Sequence, residues 1–277
     1  MSKSIAKKES TQISEQVPDY LAKYAGEGTE NVSDLTIVPR IKLLQGLSPE
    51  VVDSGERAGE FWHTVGEASL GSSIQMVPVY VSQSVLLWRP RKDGGGILAR
   101  ADNGKHWDRP NESFQVTLDN KKEVTWNTGK SVHQSGLIEW GSSDPDDKRS
   151  LPAATRMINI IAMFPEQIDM SPAVISLSRS SFKVGTQFIT KLTMGHKLPT
   201  WSRCFTMESI KDRNPDGDSY FNWKFTQISD KGKPVLIPES DVPHYKEMYD
   251  HFSSRGFEIN GEEDDTAKTA DSSHTDY

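Results

Sequence analysis

Short apolar runs, separated by turns rich in glycine, proline, asparagine and aspartate, occupy most of this 277-residue chain. Some runs alternate apolar with polar residues and others are continuously apolar, which is typical of half-buried and fully buried β-strands. The polar residues 119–122 join two runs into a hairpin, and Pro78 favours an edge position or a bulge in another. The predicted strands cover residues 37–44, 61–65, 72–81, 84–91, 114–118, 123–126, 153–164, 173–177, 200–209 and 220–228.

The apolar period changes from that of a strand to that of a helix over residues 178–192. The apolar face of this helix consists of Phe182, Gly185, Phe188, Ile189 and Leu192, and a polar stripe at i+4 spacing consists of Arg179, Lys183, Gln187 and Lys191. A further helix is predicted over residues 242–252. Many short strands and few helices predict a mainly β fold, an OB-like Greek-key barrel with helical and loop embellishments.

Polar composition at the two ends predicts three regions along the chain. Residues 1–33 are expected to form a flexible arm, residues 34–260 a single β-rich domain, and residues 261–277 a tail. The last sixteen residues contain six acidic side chains, one lysine and almost no apolar surface. Such a segment buries too little to offset the entropy of ordering, so we expect a disordered acidic tail.

Cysteine usage and hydropathy exclude several classes of protein. The only cysteine is Cys204, so no intramolecular disulfide can form, and a reducing compartment is indicated. No apolar run approaches the roughly 18–20 residues that a membrane-spanning helix needs. We therefore expect a cytoplasmic protein, in the host cytoplasm if it is viral, with no membrane partner.

Metal and cofactor motifs are weak. No two of the seven histidines stand at helical ligand spacing, and Cys204 has no second cysteine. Residues 212–218 match the first half of a calcium loop, but Trp223 occupies the position of its essential glutamate. A turn between two strands explains the same residues, because Asn, Asp, Pro and Gly are turn formers. The sequence therefore predicts neither a metal site nor a cofactor.

Catalytic motifs are also incomplete. Residues 94–96 are three glycines without the lysine and hydroxyl residue of a phosphate loop, and no nucleophile elbow is present. Residues 145–148 match the sequence of a nuclease carboxylate cluster, but the second acid–lysine pair that such a site needs is missing. We expect a protein that is not an enzyme, and a metal-dependent nuclease remains an open alternative.

Two basic islands interleave cations with aromatic residues. The first has Arg89, Arg91, Lys92, Arg100 and Lys105 beside Trp88 and Trp107, and the second has Arg179, Lys183, Lys191 and Arg203 beside phenylalanines. Unspecific binding of single strands needs cations for the phosphates and flat side chains for the bases. The phenylalanines are expected in the core, whereas the sequence does not decide whether the two tryptophans are exposed. These eleven residues form the predicted nucleic-acid-binding site.

The acidic tail ends in Asp276 and Tyr277. In this respect the chain resembles the single-stranded DNA-binding replication proteins of bacteria and tailed phages, and residues 39–45, 94–101 and 176–183 also resemble tailed-phage proteins. The resemblance implies an OB barrel whose tail recruits replication or recombination proteins through an acidic–aromatic end, here Asp276 and Tyr277, and competes with DNA.

The function expected from these features is sequence-unspecific coating and protection of single-stranded DNA during phage DNA replication or recombination. Besides the nuclease, the alternative is a β-rich phage virion or assembly protein without nucleic-acid binding. The sequence does not decide between a monomer and a homodimer.

Overall fold

The computed structural model describes residues 37–194, 198–214 and 217–255. The predicted arm and the predicted tail, with Asp276 and Tyr277, lie outside the described residues. The strands are β1 (Arg40–Leu43), β2 (Phe61–His63), β3 (Ala68–Ser69), β4 (Ser73–Trp88), β5 (Ile97–Ala101), β6 (Ser113–Thr117), β7 (Glu123–Asn127), β8 (Ala154–Met163), β9 (Ala173–Ser178), β10 (Phe205–Arg213), β11 (Ser219–Gln227), β12 (Ser229–Asp230) and β13 (Lys233–Pro234). The α-helices are α1 (Pro49–Val52), α2 (Val132–Ser135), α3 (Phe182–Thr193) and α4 (Val242–Arg255).

Nine strands form the main sheet in the order β11-β10-β4-β8-β9-β1-β2-β3, with β5 added to β4. The 16-residue strand β4 organises the sheet, because β8 pairs along one of its edges from Val77 to Leu87. On its other edge, β10 pairs with its beginning and β5 with its end. Two further two-stranded sheets, β6–β7 and β12–β13, lie outside the main sheet.

The predicted closed OB-like barrel is wrong, although the mainly β class with few helices is confirmed. The pairing of β1 with β9 is parallel, whereas the other pairings in the main sheet are antiparallel, so the sheet is mixed. The end strands β11 and β3 do not pair with each other. The result is a curled half-barrel that hydrogen bonding leaves open. Which strand pairs with which depends on contacts distant in sequence, which the local apolar pattern does not encode.

Helix α3 covers one face of the sheet, as its apolar stripe predicts. Gly185, Phe188 and Leu192 are buried there. The ring of Phe188 stacks on Phe225 at a centroid distance of 4.5 Å and meets the edge of Phe205 at 5.0 Å. A Cβ on Gly185 would lie 2.9 Å from Cδ1 of Ile158, so a larger residue would force the side chains of β8 to shift under the helix. The predicted core position of Phe188 and Phe205 is confirmed.

A second apolar cluster lies farther along the same face, beyond the part that α3 covers. Here the β6–β7 hairpin and the segment around α2 pack on β5 and on the ends of β4 and β8, and we call this part the side module. Its buried members include Trp107, Val116 and Trp126. Ala154 of β8 belongs to this cluster, and Ile158 belongs to the cluster under α3. The surface between them is therefore a seam between two covers of one sheet.

Helix α4 packs on the opposite face of the sheet, where Tyr245 and Phe252 join Val77 and Val79 in a third cluster. That face also carries a buried polar ladder across three strands. Asn159 donates from Nδ2 to Oγ of Ser84 at 2.9 Å, and Ser176 donates to Oδ1 of Asn159 at 2.9 Å. Each member satisfies its neighbour, so the ladder fixes the register of β4, β8 and β9 without orphaned polar groups.

Most predicted strands and both predicted helices are present. The β6–β7 hairpin forms as predicted, and α4 reaches Arg255, beyond the predicted end. Two predicted strands, residues 72–81 and 84–91, are a single strand, β4. The register with β8 shifts between Pro78 and Tyr80, which confirms the bulge expected at this proline.

Candidate nucleic-acid interface

Carboxylates neutralise much of the first basic island. Arg89 pairs with Asp93 at 3.0 Å, Lys92 with Asp119 at 3.5 Å, and Arg100 with Asp102 at 3.5 Å. Arg91 lies exposed in a short 3₁₀ helix, and Lys105 lies exposed in the loop after β5. A cation that already faces a carboxylate gains less from a phosphate, so this island is a weaker phosphate site than its composition suggests.

The two predicted stacking tryptophans differ in accessibility. Trp88 ends β4 and is half-buried. Trp107 is only 4% exposed and belongs to the core of the side module. The prediction that Trp107 stacks on bases is corrected, because its ring packs in the core of the side module and only a small part of the residue reaches the surface. The cations that flank it in sequence point away from that core.

Arg203 is buried completely, so its predicted phosphate contact is also corrected. Its Nη2 donates to the carbonyl of Leu192 at 2.5 Å, and Nη1 lies 3.4 Å from the carbonyl of Lys191 and 3.4 Å from Oε1 of Gln227. The carbonyls of Lys191 and Leu192 belong to the last turn of α3, where no later N–H group of the helix can donate to them. Burial lowers the pKa of this guanidinium from its ordinary value. Arg203 therefore caps the C-terminus of α3.

Three cations near the start of α3 remain accessible, and we call them the basic patch: Arg156, Arg179 and Lys183. The register pairs Met157 with Ser178, so Arg156 and Arg179 flank this last pair at one end of the β8–β9 ladder. All three are exposed, and the guanidinium of Arg156 lies 4.6 Å above the ring of Phe182. Within the described ranges no carboxylate oxygen lies within 4.0 Å of any of them. The patch is thus a cluster of positive charge that the fold leaves uncompensated.

The backbone at the patch is constrained. Arg179 has a φ of +49°, in the left-handed region that residues other than glycine avoid. The side chain of Ser181 holds this turn: its Oγ accepts the backbone N–H of Ser178 at 3.1 Å and donates to the carbonyl of Ser178 at 2.8 Å. The third cation of the predicted stripe, Lys191, is tied down, because its Nζ donates to the carbonyl of Phe225 at 2.9 Å. The constrained turn projects Arg179 beyond the end of β9 instead of continuing the strand.

A polar cavity of about 530 Å³ lies at the edge of β4. The last β10 partner of β4 is opposite Met76 and the first β5 partner is opposite Val85, so residues 77–84 have no strand on this edge among those described. We call the space the edge cavity. The residues that line it are Tyr80, Ser82, Gln83, Arg100, Asp102, Asn103, His106, Trp107 and Asp108.

The register links the edge cavity to the basic patch. Arg156 pairs directly with Val85, so these two side chains lie on the same face of the sheet. Gln83 shares that face because side chains alternate along a strand, and it is the diagonal neighbour of Arg156 at roughly 7–8 Å. Sequence reasoning missed Arg156 and the cavity. The available signal for Arg156 was a single charge inside an otherwise apolar strand.

An exposed apolar spot lies in the loop between α2 and β8. Trp140 is 68% exposed and Leu151 is 56% exposed. Backbone hydrogen bonds from Gly141 to Ser150 and from Ser143 to Leu151 hold the two ends of this loop together. Large apolar side chains exposed on an ordered loop are typical of contacts with another macromolecule.

The carboxylates considered for metal binding have other partners. Asp212 accepts hydrogen bonds from Asn222 and Tyr220, and these, with the backbone N–H of Arg213, lower the pKa of its carboxyl group. Asp144 and Asp146 both pair with Lys122. In the part of the chain that the structure describes, no group of three or more His, Cys, Asp or Glu residues could hold a metal ion. Likewise, no described helix is both long and apolar enough to cross a membrane.

Comparison with known families assigns the chain to a phage family. A family model described as Pam3 phage gp34-like protein matches residues 7–255. Because the match covers most of the chain, the protein belongs to the Pam3 phage gp34-like family. No curated protein and no solved structure gives a significant match. The predicted phage origin is confirmed, and the family description names no activity.

Proposed function

We propose that this member of the Pam3 phage gp34-like family binds single-stranded DNA without sequence preference and without acting as an enzyme. The observation that carries the proposal is the basic patch. Its three cations are exposed, adjacent and free of carboxylate partners among the described residues. Coating of exposed strands during phage replication or recombination is the role that such binding would serve.

The physical argument concerns local rather than total charge. The chain is acidic overall, with a formal net charge of -7, but the last sixteen residues hold six of its acidic side chains. Binding to a polyanion depends on the cations that touch phosphates, since each contact releases condensed counterions. The ring of Phe182, beneath Arg156, adds an aromatic surface next to the patch. Cations beside a flat ring are the two elements that unspecific single-strand binding uses.

The test is the salt dependence of affinity for oligothymidylate, measured by fluorescence anisotropy. Each phosphate contact on a single strand contributes about -0.7 to the slope of log affinity against log salt. Replacing both Arg156 and Lys183 with alanine should therefore flatten the slope by about 1.4. The matched control replaces Arg89 and Lys92 with alanine, because both already face carboxylates. The control should leave the slope nearly unchanged.

Four outcomes decide the proposal. A slope that the patch variant flattens and the control does not supports phosphate binding at the patch. If the control alone flattens the slope, the first island is the phosphate site and the patch argument is wrong. Absence of binding to both single strands and duplex overturns the function. Loss of intact DNA only when Mg²⁺ is present would show the alternative, a metal-dependent nuclease.

The exposed loop favours a second candidate function, a role in phage assembly through a protein partner. Trp140 and Leu151 offer apolar surface on one ordered loop, and tryptophan is enriched among residues that dominate protein interfaces. Replacement of Trp140 with serine should abolish such a contact and leave DNA affinity unchanged. Sedimentation of the protein alone and with phage structural proteins distinguishes this role from the first.

A further inference from the structure

We infer that the edge cavity is a subsite for one nucleobase of the bound strand. The inference rests on the proposed function and adds a recognition element to it. Phosphate contacts at the basic patch would hold the backbone, and the cavity would receive a base that turns away from it. Three properties of the cavity support this assignment: unused amide groups, an aromatic wall and its position relative to the patch.

The amides of the cavity have hydrogen-bonding capacity that the protein does not use. Gln83 is half-buried, and its amide makes no hydrogen bond to another described residue. Oδ1 of Asn103 accepts the backbone N–H groups of Lys105 at 2.8 Å and His106 at 2.9 Å, which fixes its orientation. Both N–H donors of its Nδ2 therefore remain for a ligand. An amide that both donates and accepts matches the edge of a base, which presents donors beside acceptors.

An aromatic ring forms one wall of the cavity. Tyr80 is half-buried, and its ring meets the edge of Tyr249 at a centroid distance of 6.3 Å, which restricts its rotation. A fixed tyrosine can stack on a base with little loss of side-chain entropy. Gly104 lies against Gln83 on the far side, since a Cβ there would come within 3.0 Å of Cγ of that side chain.

The position of the cavity is the third argument. Gln83 lies on the face of the sheet that carries Arg156, whereas Ser82 lies on the opposite face, so the cavity wraps the open edge of β4. A strand held by Arg156 would lie on the face of the sheet that carries Gln83, the diagonal neighbour of Arg156 on β4. The 530 Å³ volume is within the range of small-ligand sites, roughly 300–1,000 Å³.

The experiment compares two probes of equal length and charge, oligothymidylate and an abasic oligonucleotide, by fluorescence anisotropy. We expect the unmodified protein to bind oligothymidylate more tightly than the abasic strand. Gln83→Ala should weaken oligothymidylate binding about fivefold and leave abasic binding unchanged, the effect of one or two hydrogen bonds. Asn103→Asp provides a second variant, because its carboxylate still accepts the N–H groups of Lys105 and His106. It should lower the ratio of the two affinities in the same direction.

The matched control is Gln115→Ala, which removes an exposed glutamine from β6 outside the cavity. It should leave both affinities unchanged. If Gln83→Ala and Asn103→Asp keep the ratio of the two affinities at its original value, the base subsite is refuted while phosphate binding stands. If the unmodified protein binds neither probe, the proposed function itself fails. An equal loss with both probes would show that Gln83 supports phosphate binding, which also contradicts a base subsite.

Discussion

Replacement of Arg203 with leucine tests whether this buried arginine stabilises α3 or binds DNA. The guanidinium supplies donors to the carbonyls of Lys191 and Leu192 at the end of the helix. The preceding carbonyl, that of Thr190, is already satisfied by the N–H of Met194. Leucine would fill much of the space but would leave both carbonyls without this donor. The chain should therefore fold with a weakened C-terminus of α3.

The magnitude follows from these two groups. Each buried carbonyl that loses its partner costs about 1–3 kcal/mol. Part of this cost is offset because a charge no longer has to be buried, and burial already lowers the pKa of Arg203. We expect a net loss of about 3 kcal/mol, which corresponds to a fall in Tm of about 6–12 °C for a domain of this size.

The assay is thermal unfolding followed by circular dichroism, combined with DNA affinity measured well below the transition. The matched control is Arg213→Leu, which changes an exposed arginine at the end of β10 and should alter stability by no more than about 0.5 kcal/mol. DNA affinity of the folded Arg203→Leu protein should equal that of the unmodified protein. An unchanged Tm together with a tenfold loss of affinity would refute the capping role and restore Arg203 to the DNA site.

Two further predictions separate core from surface and body from tail. Phe188→Ala should lower stability by about 3–5 kcal/mol, because its buried ring contacts two other rings. Lys183→Glu should instead reduce DNA affinity at nearly constant Tm. The opposite pair of results would mean that the buried and exposed faces of α3 are reversed. Removal of residues 262–277 deletes a segment rich in carboxylates, which we expect to compete with phosphate for the basic patch. Binding of single-stranded DNA should therefore tighten, most at low salt where screening is weakest. An affinity ratio of one at two salt concentrations would leave the tail no competing role.

The local pattern of apolar residues was sufficient to predict most of the longer elements, although it missed β5 and divided β4 into two strands. Residues 182–193 repeat with the helical period, and burial of Gly185, Phe188 and Leu192 follows from that spacing alone. The β6–β7 hairpin follows from alternating residues on both sides of a polar turn. The bulge at Pro78 follows from the missing N–H of proline. Each of these depends on interactions within a few residues of the chain, which the sequence records directly.

Candidate DNA contacts were predicted less well, because a cluster of cations in sequence does not specify their partners in space. Arg89 and Lys92 belong to a basic run, yet each faces a carboxylate, whereas Arg156 stands alone in an apolar strand and is exposed. Trp107 and Arg203 have polar or charged neighbours in sequence, yet packing buries both. The sequence therefore showed the sign and number of the charges, but not which of them are exposed and unpaired in the fold.

The sequence by itself determined most of the secondary structure, the mainly β class and the concentration of acidic residues near residue 277, because these depend on local period and composition. Only the tertiary structure decided that the sheet stays open. The parallel pairing of β1 with β9 and the gap between β10 and β5 on β4 arise from contacts between distant segments. That same gap creates the edge cavity, and the meeting of β8 with β9 places Arg156 beside Arg179. Free energy from packing selects these pairings, so no stretch of the chain contains them in advance.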